Sequence, residues 1–175
     1  LALLAVSAYL GSSTSAKKDR IVLVGAGIIG CALGYELAKA GANVTLIDKA
    51  HPGSQASGNS FSWINATYPK QPYAYNFFSQ LGIDAYKSLT PELGLNVKWS
   101  GSLEWFADKQ IEADSFKQLA HIMEYKQYTP VEIISASAAN QLEPKVIFEK
   151  NTKVIFSKSD GAIDAGDAIN KFTNQ

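Results

Sequence analysis

The spacing of apolar residues changes period along the chain, and the changes mark its elements. "IVLV" at 21–24 is a continuous β-branched run, the pattern of a strand buried in a parallel sheet. Residues 28–40 then follow helical spacing and stop at Gly41, and "ANVTLID" at 42–48 reads as a second strand. Together they predict a strand–turn–helix–strand unit whose short connections suit a right-handed crossover. Polar and small residues dominate 49–72, "KAHPGSQASGNSFSWINATYPKQP", a stretch too long to be an idle connection.

Beyond it, helical spacing returns over about 73–89, with a stop expected near Thr90 and Pro91. "NVKWSGSLEWFAD" at 96–108 predicts two short strands around Ser100 and Gly101. Ile111, Phe116, Leu119, Ile122 and Met123 mark a helix over about 109–126, and "VEII" at 131–134 a strand. "SASAANQLEP" opens on a capping serine, Ser135, and ends at Pro144. "KVIF" at 145–148 and "KVIFS" at 153–157 read as strands, and "DAGDAINKF" as a last helix. The organisation shifts near residue 92, which divides the chain into 20–91, 92–160 and a return segment, 161–175.

Residues 1–19 stand apart. "LALLAVSAYLGSSTSAKKD" joins about ten apolar residues to small polar ones, as in the core and cleavage region of an export signal. On that reading cleavage follows Ala16 and the protein is exported; on the alternative, a frayed extension, it is cytoplasmic. The apolar run is too short to span a bilayer.

Composition narrows the partners. Lys plus Arg and Asp plus Glu number 16 each, so no overall field attracts nucleic acid. Cys31 is the only cysteine and lies on an apolar helix face, which makes it a small packed residue and excludes an intrachain disulfide. His51 and His121 are isolated, and no residues show metal-ligand spacing, so no metal is expected.

The candidate chemistry lies in the first turn. Gly25, Gly27 and Gly30 form G-x-G-x-x-G between a strand and a helix. Gly25 makes the turn, Gly27 lets a pyrophosphate approach the backbone, and Gly30 lets helix and strand pack closely. Diphosphate then meets the unpaired amides of a helix N-terminus. Asp48 ends the second strand, where a carboxylate accepts from ribose hydroxyls and repels a 2′-phosphate. These elements alone suit NAD or FAD. The hydroxyl- and amide-rich stretch that follows suits a cofactor extending beyond its diphosphate.

"VLVGAGIIGCALGYELAKAGANVTLID" followed by "ASGNSFSWINA" resembles the D-amino-acid oxidase superfamily of FAD-dependent oxidoreductases. "GSLEWFAD", "SASAANQLEP" and "DGAIDAGDAI" are similar, in the same order, to its later segments, so the resemblance spans about 20–170. It implies an α/β fold: an incomplete Rossmann-like FAD-binding domain with part of an α+β substrate domain. Ile28 and Ile29 would lie on the pyrophosphate, and Asp48 and Lys49 at the adenosine ribose. Ala56 and Ser57 would sit near the phosphates, and Ser60, Phe61 and Ser62 toward the flavin. Trp63 is either a packed loop anchor or part of the wall near the flavin ring. Many members carry glutamate where Asp48 stands.

The implied activity is oxidation of an amine, an amino acid or N-methyl amino acid, with hydride passing to flavin. Membrane contact would come only through the N-terminus or a quinone acceptor. Members are usually about twice this long, so the chain reads as an N-terminal part whose sheet leaves apolar surface exposed and whose catalytic groups are not assignable. An NAD-dependent dehydrogenase and an inactive partial domain are the alternatives.

Overall fold

A computed structural model describes residues 20–66, 70, 72–124 and 131–174. The candidate signal lies outside these residues. The described chain is a mixture of strands and helices in two compact units. The first takes the chain up to Ser62, Lys87–Val97 and the chain from Ile163; the second takes Trp63–Tyr86 and Lys98–Ala162.

The first unit holds the crossover. β1 (Arg20–Val24) leads through the glycine turn into α1 (Ile28–Lys39), and β2 (Asn43–Ile47) returns parallel to β1, with Arg20 opposite Asn43 and Val24 opposite Ile47. α1 ends as its glycine predicts. Gly41 takes φ +95°, its N–H donates to Ala38 O, and Ala42 N–H donates to Leu37 O, the paired bonds of a Schellman cap. Leu23 and Val44 face α1 at Gly34. The opposite face of the strand pair is open: Val22, Val24 and Ile47 are 60%, 86% and 48% exposed. The expectation that 21–24 is buried on both faces is therefore corrected, while exposure of apolar sheet surface matches the reading. Cys31 is buried, as expected of a packed residue. α5 (Ala165–Thr173) belongs to this unit, is capped by Asp164, and brings Phe172 against Tyr35 with ring centroids 5.7 Å apart.

α2 (Tyr73–Leu93) contributes to both units and runs through Pro91, beyond its expected end. In the second unit, β3 (Trp63–Ile64) pairs antiparallel with β7 (Gly161–Ala162). A three-stranded antiparallel sheet has the order β4 (Ser102–Glu104), β6 (Lys153–Ser157), β5 (Glu132–Ser135). One face meets α4 (Ala136–Leu142), where Ala136, Ala139, Phe148 and Val154 form a core with Leu103, Ile134 and Val146. The other meets α3 (Lys109–Met123), through Leu119, Val131 and Ile155 with Phe106 and Phe116. Ser135 ends β5 and caps α4, its Oγ accepting from Ala138 N–H at 3.2 Å.

Two expected strands are absent. Over 96–99 only Lys98 bridges a neighbour, Ala162. At 145–148, Val146 N–H closes a turn on Glu143 O, Ile147 is 94% exposed and Phe148 enters the core. That run is apolar because Val146 and Phe148 pack into the core, not because a strand is buried.

Candidate dinucleotide-binding turn

The turn from β1 to α1 is built by sterics that only glycine satisfies at two positions. Gly25 takes φ +112°, a conformation costly to any residue with a Cβ, and its N–H donates to Ile47 O at 2.7 Å. A Cβ on Gly30 would lie 1.8 Å from the Gly25 carbonyl oxygen. The first turn of α1 therefore packs directly on the backbone of the preceding loop.

Gly27 is the N-cap of α1, with no side chain to cap it and no acidic residue in the first turn. The helix end keeps its positive partial charge, and the first turn of the helix itself adds no acidic side chain. One amide is engaged: Ile28 N–H donates to Ser57 Oγ at 3.0 Å, so a hydroxyl oxygen sits at the helix mouth. A Cβ on Gly27 would come 3.1 Å from that Oγ, so the missing side chain keeps this space open.

Asp48 is turned toward the same mouth. Its Oδ2 accepts from Ala26 N–H at 2.7 Å and its Oδ1 from Ala50 N–H at 2.9 Å. The bond from Ala26 N–H, followed by that from Ala50, holds its carboxyl below the usual aspartate range, so it is ionised near neutrality. Each oxygen keeps a further lone pair, which leaves the carboxylate able to accept from a hydroxyl ligand.

The stretch after β2 folds back onto this turn. Gly53 N–H donates to Ala26 O at 2.8 Å, and successive turns run from 52 to 59. Gly27, Asp48, Gly53, Ser54, Gln55, Ala56 and Ser57 enclose a cleft of about 150 Å³. That is smaller than the pockets that engulf whole small molecules and suits one polar portion of a larger ligand. A groove of about 650 Å³, lined by Cys31, Tyr35, Val44, Leu46 and Phe172 among others, is larger but contains none of the glycines of the turn.

Of the residues expected at the site, Gly25, Gly27, Ile28, Gly30, Asp48, Ala56 and Ser57 come together here. Ile29 projects from the first turn 81% exposed, and Lys49 is exposed beside Asp48. Ser60, Phe61 and Ser62 do not line the cleft. Phe61 is 83% exposed, and Ser62 holds the uncommon φ of +52° with its N–H on Ser60 Oγ at 3.0 Å. Trp63 lies on β3. Sequence reasoning missed Gly53, Ser54 and Gln55; the Pro52-Gly53 pair was the available signal for a reversal there.

The residues present fit the adenosine diphosphate half of a dinucleotide. They offer a helix whose first turn holds no acidic residue, space at Gly27 that a Cβ would narrow, and an ionised acceptor at the end of β2.

Comparison with known proteins agrees. The chain is 31% identical over 153 residues to the tRNA 5-methylaminomethyl-2-thiouridine biosynthesis bifunctional protein MnmC of Campylobacter jejuni subsp. doylei, covering 86% of this chain and 23% of that one. It is 26% identical over 134 residues to glycine oxidase of Bacillus licheniformis, covering 73% of this chain and 35% of that one. The crystal structure of L-proline dehydrogenase from P. horikoshii superposes with a TM-score of 0.77 at 25% identity, covering 91% of this chain and 42% of that one. The chain thus spans less than half the length of each of these relatives. The model of the FAD dependent oxidoreductase family, DAO, matches residues 20–175, and the chain belongs to that family.

Proposed function

We propose that the protein carrying this chain is an FAD-dependent oxidoreductase that oxidises an amine or amino acid by hydride transfer to the flavin. The observation that carries the reading is the helix mouth of α1, where Ile28 N–H and the ionised Asp48 converge on one cleft within a chain of the FAD-dependent family. Family membership favours FAD over NAD. FAD, when bound, would supply the acceptor for the hydride that leaves the carbon bearing the nitrogen, the nitrogen losing a proton as the imine forms.

The chain's own residues bind and orient. The backbone from Gly25 to Gly30 and the α1 N-terminus take the diphosphate, with Ala56 and Ser57 beside it. Asp48 accepts from the ribose, and Lys49 adds a positive charge at the adenosine end. Ser60, Phe61 and Ser62 continue toward the flavin, the strained Ser62 turning the chain into β3. The first unit is the start of the FAD-binding domain, and the second belongs to the substrate domain.

The names of two relatives, glycine oxidase and L-proline dehydrogenase, support a small amino acid as substrate. MnmC belongs to tRNA biosynthesis, but a net charge of zero gives this chain no general attraction for RNA. The test is anaerobic mixing of the FAD-loaded full-length protein with glycine, sarcosine, L-proline and D-alanine. Bleaching of the flavin's visible band by at least one of them is expected. A protein that takes up no FAD, or whose flavin is reduced by NADH and by none of the amines, refutes the proposal.

A further inference from the structure

The stretch between β2 and β3 is anchored at one residue. From His51 to Ser60 only Gly53 is buried; Ser57 is partly exposed and the others are exposed. Gly53 N–H donates to Ala26 O in the glycine turn at 2.8 Å, and Gly53 O accepts from Gly58 N–H at 2.7 Å. Ser54, Gln55, Ala56 and Ser57, which line the cleft with Gly27 and Asp48, lie along the chain between those two glycines. The cleft wall and the glycine turn therefore both take their position from Gly53.

The space where a side chain at 53 would stand is filled from α5. A Cβ on Gly53 would lie 2.6 Å from Ile169 Cδ1, 3.8 Å from its Cγ1 and 3.9 Å from its Cγ2, and Ile169 is 1% exposed. The φ of +75° favours glycine there as well, so no side chain of its own steadies this residue. α5 fixes Ile169 at two points. Asp164 Oδ1 accepts from Asp167 N–H at 2.8 Å at the helix start, and Phe172, on the same face, packs on Tyr35 of α1. The residues leading into α5 also reach the far end of the stretch, where Ile163 N–H donates to Ser62 O at 3.3 Å. Yet no residue from 163 to 173 lines the cleft.

We infer that Ile169 is a positioning residue for the cofactor, acting through Gly53 on Ala26 and on Ser54–Ser57. With Ile169 against it, Gly53 has one place to sit, and the cleft wall is set before a ligand arrives. Without that contact the most permissive residue of the stretch is held by backbone hydrogen bonds alone, and the ordering of the wall falls to the binding step, which lowers affinity. The role rests on the cleft being the dinucleotide site. It makes cofactor affinity depend on a helix that joins this unit only after the chain has passed through Lys98–Ala162.

The test compares Ile169→Ala with Phe172→Ala in the full-length protein, since both truncate the buried face of α5 and only the first touches Gly53. Hydrogen–deuterium exchange is read without cofactor on a peptide spanning 50–60, and FAD affinity by titration of flavin fluorescence. Ile169→Ala should lower protection of the Gly53 and Gly58 amides roughly tenfold while the β2 amides keep theirs, and should weaken FAD binding roughly tenfold. Phe172→Ala, at equal or greater loss of Tm, should leave both within about twofold of wild type. Ile169→Val, which lacks only the methyl nearest Gly53, should show the Ile169→Ala pattern at about threefold and serves where the alanine variant does not fold. Wild-type protection or wild-type FAD affinity in both Ile169 variants, or equal losses in Phe172→Ala, overturns the role of Ile169 alone. A wild-type protein that takes up no FAD overturns the proposed function and this role with it.

Discussion

Two glycines in the same turn should respond to alanine in opposite ways. In Gly30→Ala the new methyl would lie 1.8 Å from the Gly25 carbonyl oxygen and 3.0 Å from its carbon. Real contacts of this kind do not come within 3.0 Å, so the turn must open by more than an ångström. It cannot open freely, because Gly25 is fixed by its positive φ and by its bond to Ile47 O. Overpacking against such backbone belongs at the upper end of the usual range, about 3 kcal/mol. For a chain of this size that lowers Tm by roughly 6–12 °C. In Gly27→Ala the obstacle is only the Ser57 hydroxyl at 3.1 Å, which moves by a few tenths of an ångström at little cost. That methyl, however, enters the space assigned to the diphosphate. FAD affinity should fall by roughly 30-fold, equivalent to about 2 kcal/mol, while Tm changes by no more than about 3 °C. Thermal melts without cofactor and titration of flavin fluorescence separate the two. Wild-type Tm in Gly30→Ala, or wild-type FAD affinity in Gly27→Ala, refutes the steric reasoning.

Asp48→Asn leaves one acceptor oxygen where two backbone amides now donate, so FAD binding should weaken roughly tenfold, measured by the same titration. Glu104 binds its proton more tightly when folded, so its contribution to stability is largest below about pH 4.5 and is lost as pH rises through about 7. Discounted for solvent screening, the loss is about 1–2 kcal/mol; it should be visible as a pH-dependent gap between wild type and Glu104→Gln in urea melts. Glu92 accepts from both Tyr35 and Lys39, yet the Lys39 and Glu92 side chains are 50% and 34% exposed; Glu92→Ala should therefore cost less than about 1 kcal/mol by denaturation. Val154→Ala, at a residue with no exposure beneath α4, should cost about 2 kcal/mol in the same measurement.

The parts legible from sequence were those fixed by local physics. Gly25, Gly27 and Gly30 at the strand end announced the turn, Gly41 the helix stop and Ser135 the next helix start, because each acts on backbone within a few residues. Asp48 was legible because the crossover carries it back to the turn. Non-local choices were hidden. "KVIF" has strand composition, but Phe148 fills a core set by α4 and β6, and the chain turns to place it. Val22 and Val24 read as buried since their residue type shows no covering partner. The Ser57 contact to Ile28 joins residues 29 positions apart and depends on the reversals after Pro52. Proline at 91 signalled a stop there, but the helix runs on to Leu93.

The most direct test is a crystal structure of the full-length protein with FAD bound. The diphosphate should rest on the amides between Gly25 and Gly30 next to Ser57, with a ribose hydroxyl donating to Asp48. FAD bound at another place, or an Asp48 carboxylate turned away from the sugar, would contradict the account.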